Sequence, residues 1–189
     1  MNMWVTSDTH FGHNKEFVYK PRGFNSLYDM EEYIIHDWNS KVQDDDIVYH
    51  LGDFALGMDE SRLNNIISRL KGTIYLVRGN HDTDNKLKFY NDNWGWKIKR
   101  VEHVDDPIKY NGKVFMLSHY RMSTSNLESN PKHCVINLHG HEHIKEVFFE
   151  ERPYTYNVIL DAHNCQILSL DSICDDIDNK INDCLNYCK

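Results

Sequence analysis

Leu138-His139-Gly140-His141-Glu142-His143 crowds three histidines and a glutamate around one glycine. It follows Cys134-Val135-Ile136-Asn137-Leu138, an apolar run that reads as a short buried strand. Histidines two apart in an extended segment point to the same side. Glycine lets the backbone turn or come close to something, and neutral imidazole is the commonest transition-metal ligand. One His-x-His pair says little alone. It gains weight because four other strand-like runs in the chain also end in metal-ligand residues.

Met3-Trp4-Val5 leads to Asp8 and His10, two apart and able to chelate one ion, with His13 and Asn14 in the loop that follows. Ile47-Val48-Tyr49-His50-Leu51 is a near-continuous apolar run of the parallel, buried kind, and it ends in Gly52-Asp53. Thr73-Ile74-Tyr75-Leu76-Val77 runs into Arg78-Gly79-Asn80-His81-Asp82, and Val114-Phe115-Met116-Leu117 into Ser118-His119-Tyr120-Arg121. Each ending alone is explained by a cap or a turn. All of them at one relative place are not, because ligands of open α/β sheets sit beyond the carboxyl ends of the strands. Buried charges and imidazoles without partners are costly, and a shared metal centre satisfies them together. The donors are carboxylates, an asparagine carbonyl and imidazoles, with no thiolate. That set suits Mn, Fe, Zn, Co or Ni better than Ca or Mg. It is also too large for one ion and suits two, bridged by one carboxylate.

Between these runs the helices are legible. Ser26, with Asp29 three residues on, caps a helix whose stripe is Leu27, Met30, Tyr33, Ile34 and Trp38, with His36 exposed. Asp59 caps a second helix with Leu63, Ile66, Ile67 and Leu70 inward, stopped at Lys71-Gly72. A short polar helix is expected from Asn85 to Phe89. Asp44-Asp45-Asp46 reads as a solvated turn, Asp105-Asp106-Pro107 makes a turn, and Asn111-Gly112 is a hairpin signal between antiparallel strands. Met122 to Pro131 reads as a polar loop. Val147-Phe148-Phe149, Tyr154 to Leu160 and Gln166-Ile167-Leu168 read as strands. A last helix capped at Ser169 or Asp171 carries Ile173, Ile177, Ile181 and Leu185.

At 189 residues and with no repeat or linker, a single domain over residues 1–189 is expected. The net charge of −8 counts against long duplex nucleic acid as a partner. The one basic cluster, Lys97, Lys99 and Arg100, reads as the exposed face of a strand. No apolar run is long enough to span a membrane. With no signal peptide and five cysteines in no C-x-x-C pair, the expected setting is cytoplasmic with free thiols.

These motifs resemble those of the calcineurin-like metallophosphoesterases. That family's D-x-H, G-D, G-N-H-[D/E], lone His and G-H-x-H stand here, in order, as Asp8-Thr9-His10, Gly52-Asp53, Gly79-Asn80-His81-Asp82, His119 and Gly140-His141-Glu142-His143. Ser7-Asp8-Thr9-His10-Phe11-Gly12-His13, Ser118-His119-Tyr120 and Asn157-Val158 through Asp161 are similar to a small bacterial and phage branch. The resemblance implies a mixed α/β fold, a four-layer αββα sandwich of two sheets with helices outside. It implies two divalent transition-metal ions: Asp8, His10, Asp53 and His143 hold one, and Asp53, Asn80, His119 and His141 the other. His81 then faces the scissile phosphate, and His139 is structural or supports the ligands from behind.

Two dications lower the pKa of a bridging water, neutralise phosphate oxygens and hold phosphorus for in-line attack, while His81 protonates the leaving oxygen. The expected reaction is hydrolysis of a phosphate ester, a diester before a monoester, with Mn the first choice of metal. A nucleotidase, a nuclease and a non-catalytic scaffold are the alternatives. Scaffold forms of the fold usually lose ligands, and this chain keeps all of them. The His-x-His-x-Asp-His run of a metallo-β-lactamase is absent. The expected partner is a small phosphate ester or a nucleotide. Two departures stand out. Phe54-Ala55-Leu56 follows Asp53 where many members carry an aspartate that orients the catalytic histidine, and Arg121 stands where a proline is frequent. Arg121 reads equally as a phosphate clamp or a surface arginine. His13, Asn14 and Arg22 are substrate-pocket candidates.

Overall fold

A computed structural model of the chain describes residues 1–101, 107–122, 135–149 and 154–187. In chain order its elements are β1 (Met3–Thr6), α1 (Glu16–Tyr19), α2 (Leu27–Lys41), β2 (Ile47–His50), α3 (Glu60–Arg69), β3 (Thr73–Leu76), α4 (Asp84–Trp94) and β4 (Ile98–Arg100). Then follow β5 (Ile108–Tyr110), β6 (Lys113–Leu117), β7 (Val135–His139), β8 (Thr155–Asn157), β9 (Leu168–Ser169) and α5 (Leu170–Tyr187). The expected turn at Asp105-Asp106, the polar loop from residue 123, and Cys134 and Cys188 lie outside the described residues.

Two mixed sheets form. The first has the order β4-β3-β2-β1-β9, the second β5-β6-β7-β8. Strands β1 to β4 run parallel, and β9 joins the edge antiparallel. In the second sheet β6, β7 and β8 run parallel, and the Asn111-Gly112 turn returns the chain from β5 into β6. Both turn residues have positive φ, 45° and 73°, as a tight two-residue hairpin requires.

Alternation along the strands sets the layers. Val48, Ile74, Leu76 and Ile98 face α2, α3 and α4 and form one core with Met30, Ile34, Trp38, Leu63 and Ile67. Val5 and partly buried Tyr49 point the other way, into a second core with Phe115, Leu117, Ile136, Leu138 and Tyr156. Helix α5 adds Ile173, Cys174 and Ile177 to that second core. The expected pair of packed sheets with helices against them is what the chain builds.

The caps behave as read. Ser26 Oγ accepts from the Asp29 N–H at 3.1 Å and Asp59 Oδ1 from the Arg62 N–H at 2.8 Å. Ser172 N–H donates to Ser169 Oγ at 3.0 Å, so Ser169 caps α5. Ser26→Ala should cost about 1 kcal/mol, read as a lower urea midpoint with an unchanged slope.

Several local expectations need correction. Helix α4 runs to Trp94, because Leu87 and Tyr90 are buried on the first core and Trp94 packs against it. Asp46 is no solvated residue: it is 1% exposed and accepts from the Asn2 and Gln43 N–H groups and from Trp4 Nε1, tying the chain start to the turn before β2. Lys97 is 9% exposed, with its ammonium over the Trp96 ring, so the basic cluster does not form one solvated face. Of Val147-Phe148-Phe149 only Phe148 pairs, with Tyr156. The run from Tyr154 is a strand only over Thr155–Asn157. It then makes a single bridge from Ile159 to Ser7 and turns into a 3-10 helix at Leu160–Ala162.

Candidate metal centre

Because β1, β2 and β3 run parallel, and so do β6 and β7, their carboxyl ends deliver Asp8 and His10, Asp53, Asn80 and His81, His119, and His141 and His143. The two sheets meet at this edge. The Gly140 N–H donates to the His119 carbonyl at 3.1 Å, which joins the ends of β7 and β6, and the His141 N–H donates to Asp8 Oδ2 at 3.0 Å, which fastens the end of β7 to that of β1.

The backbone here is unusual. Asp8, His10, Asp53 and His141 have φ of 56°, 50°, 56° and 71°. Few residues other than glycine occupy that left-handed region, and holding one there costs about 1–3 kcal/mol. A lattice of hydrogen bonds sustains it. The Asp8 N–H donates to the Gly52 carbonyl at 3.0 Å and the His10 N–H to the Asp53 carbonyl at 3.1 Å. Asp82, wholly buried, accepts from the N–H groups of Asp53, Gly79 and Phe54 at 2.7, 2.9 and 3.3 Å. Burial raises the Asp82 pKa, against the pull of those donors.

Side chains converge in two groups, Asp8, His10 and His143, and Asp8, Asp53 and His119, with ligand atoms within 4.8 Å of one another in each. In the first, His10 Nε2 stands 3.2 Å from His143 Nε2, and 3.6 Å from Asp8 Oδ1, which is buried without a hydrogen-bond partner. In the second, His119 Nδ1 lies 2.9 Å from the Leu51 carbonyl. That partner makes Nδ1 the donor and leaves Nε2 bare, facing the Asn80 Oδ1 at 2.8 Å. Two acceptors in contact repel unless a cation lies between or beside them. Asp53 Oδ2 is 3.9 Å from His10 Nε2 and 3.6 Å from His119 Nε2, reaching both groups. The His141 ring lies 5.0 Å from that of His119. An orphaned carboxylate oxygen and opposed lone pairs fit divalent metal. Burial alone would push Asp8 up, but His10, His119 and Ser7 bring it down to about 2, so it is an anion ready to bind a cation.

His81 is on the open side. Its ring is 42% exposed, its Nε2 is 4.0 Å from Asp53 Oδ2, and its N–H donates to Asp53 Oδ1 at 2.7 Å. Among the described residues no hydrogen bond holds its ring. Lys86 instead donates to the carbonyls of His81 and Ala55, which steadies the loop. The His13 ring lies 5.5 Å from that of His10 and 6.4 Å from that of His81. Burial and these neighbours lower its pKa to about 4. Asn14 is exposed beside it. His139 is 1% exposed, its Nδ1 3.1 Å from the Gly140 carbonyl, outside both groups as expected.

Arg22 differs from the sequence reading. The Arg22 side chain is 0% exposed and paired with Asp161, so it is no pocket residue. Arg121 lies 3.4 Å from Glu142, with its guanidinium over the Phe149 ring and its Nη1 buried without a hydrogen-bond partner, so it is no free surface arginine.

Residues 1–185 match the family model of the calcineurin-like phosphoesterases. The chain belongs to that family. This phosphoesterase is 34% identical, over 176 residues, to an uncharacterized protein of Methanocaldococcus jannaschii, covering 90% of this chain and 88% of the relative. It is 35% identical over 86 residues to the gene 66 protein of Mycobacterium phage L5, covering 43% of this chain and 40% of the relative. Its fold is like that of a protein of unknown function from Aquifex aeolicus, with a TM-score of 0.69 at 24% identity over 92% of this chain and 98% of the other. The resemblance read from the motifs is borne out.

Sequence reasoning passed over residues that build this site. Asp82 was quoted only as the end of a motif. His50 is wholly buried with both nitrogens engaged, Nε2 with Thr9 Oγ1 at 3.0 Å and Nδ1 accepting from the Gly52 N–H at 3.3 Å. Thr9 Oγ1 donates to the Phe54 carbonyl, so His50 must donate through Nε2. Burial lowers the His50 pKa to about 3, and it packs as a neutral strut. The available signal was its place in an apolar strand just before Gly52-Asp53.

Proposed function

We propose that this phosphoesterase hydrolyses phosphodiesters, of nucleotide size, with two divalent transition-metal ions, manganese first. The observation that carries the reading is unanswered acceptors gathered at one edge: the bare His119 Nε2 against Asn80 Oδ1 at 2.8 Å in one group and the orphaned Asp8 Oδ1 beside His10 in the other, with Asp53 between. Asp8, His10, Asp53 and His143 would hold one ion and Asp53, Asn80, His119 and His141 the other. Such ions supply Lewis-acid charge for the phosphate oxygens and acidify water at neutral pH. His81, exposed toward solvent at this edge, donates a proton to the leaving oxygen.

The diester preference rests on charge. Arg22 is committed to Asp161 and Lys86 to carbonyls, and the charge of Arg121 is already faced by Glu142 at 3.4 Å. A diester carries one negative charge and a monoester dianion two, so the diester asks less of the side chains around the ions. Exposed rings flank the site: Phe17 against His13 and Tyr120 against His141. Base–aromatic stacking contributes about 1–3 kcal/mol per base, which supports a nucleotide ester.

The test is turnover of bis(p-nitrophenyl) phosphate beside p-nitrophenyl phosphate, by metal-stripped protein given Mn, Ni, Zn or Mg. Metal-dependent turnover favouring the diester is expected. Preference for the monoester would overturn the diester assignment, and no turnover with any metal would overturn the hydrolase reading. His81→Ala should keep both ions and lose about 10²–10⁴-fold on an alkyl ester, the range of general acid catalysis. It should lose far less on a p-nitrophenyl ester, whose leaving group departs without a proton. Equal losses on both would sink the acid role.

A further inference from the structure

His143 is a ligand candidate that needs outside support. Its ring is 45% exposed, whereas the side chains of Asp8, His10, Asp53 and His119 are 0–4% exposed and held by their packing. It sits in the turn after β7, where its N–H donates to the His141 carbonyl. An exposed imidazole samples several rotamers and both tautomers, and a ligand must give these up. One contact from the far end of the chain removes that freedom: His143 Nδ1 lies 3.2 Å from Asp161 Oδ2. A carboxylate oxygen can only accept, so Nδ1 carries the proton and Nε2 turns its lone pair toward His10 and Asp8, at 3.2 and 3.8 Å.

Asp161 is held in turn. It lies in the 3-10 helix Leu160–Ala162, and its Oδ2 accepts from Arg22 Nη2 at 2.7 Å and Nε at 3.2 Å. The same Nη2 donates to the Asp8 carbonyl at 2.8 Å. One buried guanidinium therefore spans the segment that orients His143 and the left-handed turn that presents Asp8. Lysine, a single point donor, could not hold this fork.

We infer that Asp161 and Arg22 are positioning residues for the ion held by Asp8, His10 and His143, Asp161 acting through His143 and Arg22 through Asp161 and the Asp8 backbone. The inference rests on the ligand reading above and not on turnover. Nothing in the contacts of Asp161 reaches Asn80, His119 or His141, so its effect falls on one ion of two.

The experiment is Mn²⁺ titration of metal-stripped protein, with free Mn²⁺ read by its EPR signal, beside thermal melts of the metal-free chain. Asp161→Asn removes the charge and keeps the shape. It should weaken one of two Mn²⁺ sites by about 10–100-fold, the usual effect of losing an outer partner of a histidine ligand, and leave the other as in wild type. The paired replacement Arg22→Met with Asp161→Leu avoids stranding a buried charge and should show the same split. In a His143→Ala background, Asp161→Asn should produce no further loss. Two unaltered sites, two sites weakened equally, or an added loss in the His143→Ala background would each overturn the inference. If wild type binds no Mn²⁺ with two-site stoichiometry, the ligand reading itself fails, a result separate from these.

Discussion

Asp53→Asn is expected to remove turnover and at least one bound ion while leaving the fold intact. Asp53 Oδ2 lies 3.9 Å from His10 Nε2 and 3.6 Å from His119 Nε2, so the same oxygen serves both groups. An amide offers one neutral oxygen in place of two that share a charge, and it cannot bridge two cations with comparable strength. Losing an outer partner of a ligand typically costs about 10–100-fold, and losing a shared inner ligand should cost more, on the order of 10³-fold in turnover. The backbone tolerates the change. Asp53 has φ of 56°, and asparagine enters that region more readily than most residues. Its remaining Oδ1 can still accept from the His81 N–H, a bond of 2.7 Å. Elemental analysis and turnover on one sample decide the matter. A variant with two ions and wild-type activity would mean that Asp53 is not the bridge.

Gly140→Ala should do comparable harm by a different route. The φ of Gly140 is not left-handed, so its value lies in close approach. A Cβ there would overlap Ser7 Oγ and Asp8 Oδ2, with Ser7 Cβ at 2.7 Å. Neither neighbour can swing away. Both are 0% exposed, they are hydrogen-bonded to one another, and Asp8 Oδ2 also accepts from the His141 N–H. The seam between the two sheets must open. Overpacking of this kind costs about 1–3 kcal/mol, read from urea unfolding of the metal-free chain. Because Asp8 is read as a ligand of one ion and His141, whose N–H it accepts, as a ligand of the other, Mn²⁺ affinity should fall at both sites. A variant that unfolds and binds metal as wild type does would show that the sheets can separate here without cost.

Much of this phosphoesterase could be read from its sequence because the information is local. A capping serine with its acceptor, an Asn-Gly turn and an apolar run each act over a few residues. Asp8, Asp53, Asn80, His119 and His141 could be singled out because the rule that ligands gather at strand carboxyl ends needs only the order of elements. Local pattern misjudged residues whose partners are distant. Arg22 sits in an exposed-looking Lys20-Pro21-Arg22-Gly23 turn, yet its charge is buried by Asp161, 139 positions away. Asp46 ends an acidic run that looks solvated, yet the N-terminal residues close over it.

By itself, then, the sequence determined the chemistry of the donors, their succession at strand ends and the family, since these depend on residue type and spacing. Only the tertiary structure decided which acceptors oppose one another, which carboxylate reaches both groups, and that Asp161 and Arg22 stand behind His143. Those facts depend on distances of a few ångströms between segments brought together by two sheets, and electrostatic attraction and hydrogen bonding act over such distances whatever the separation along the chain.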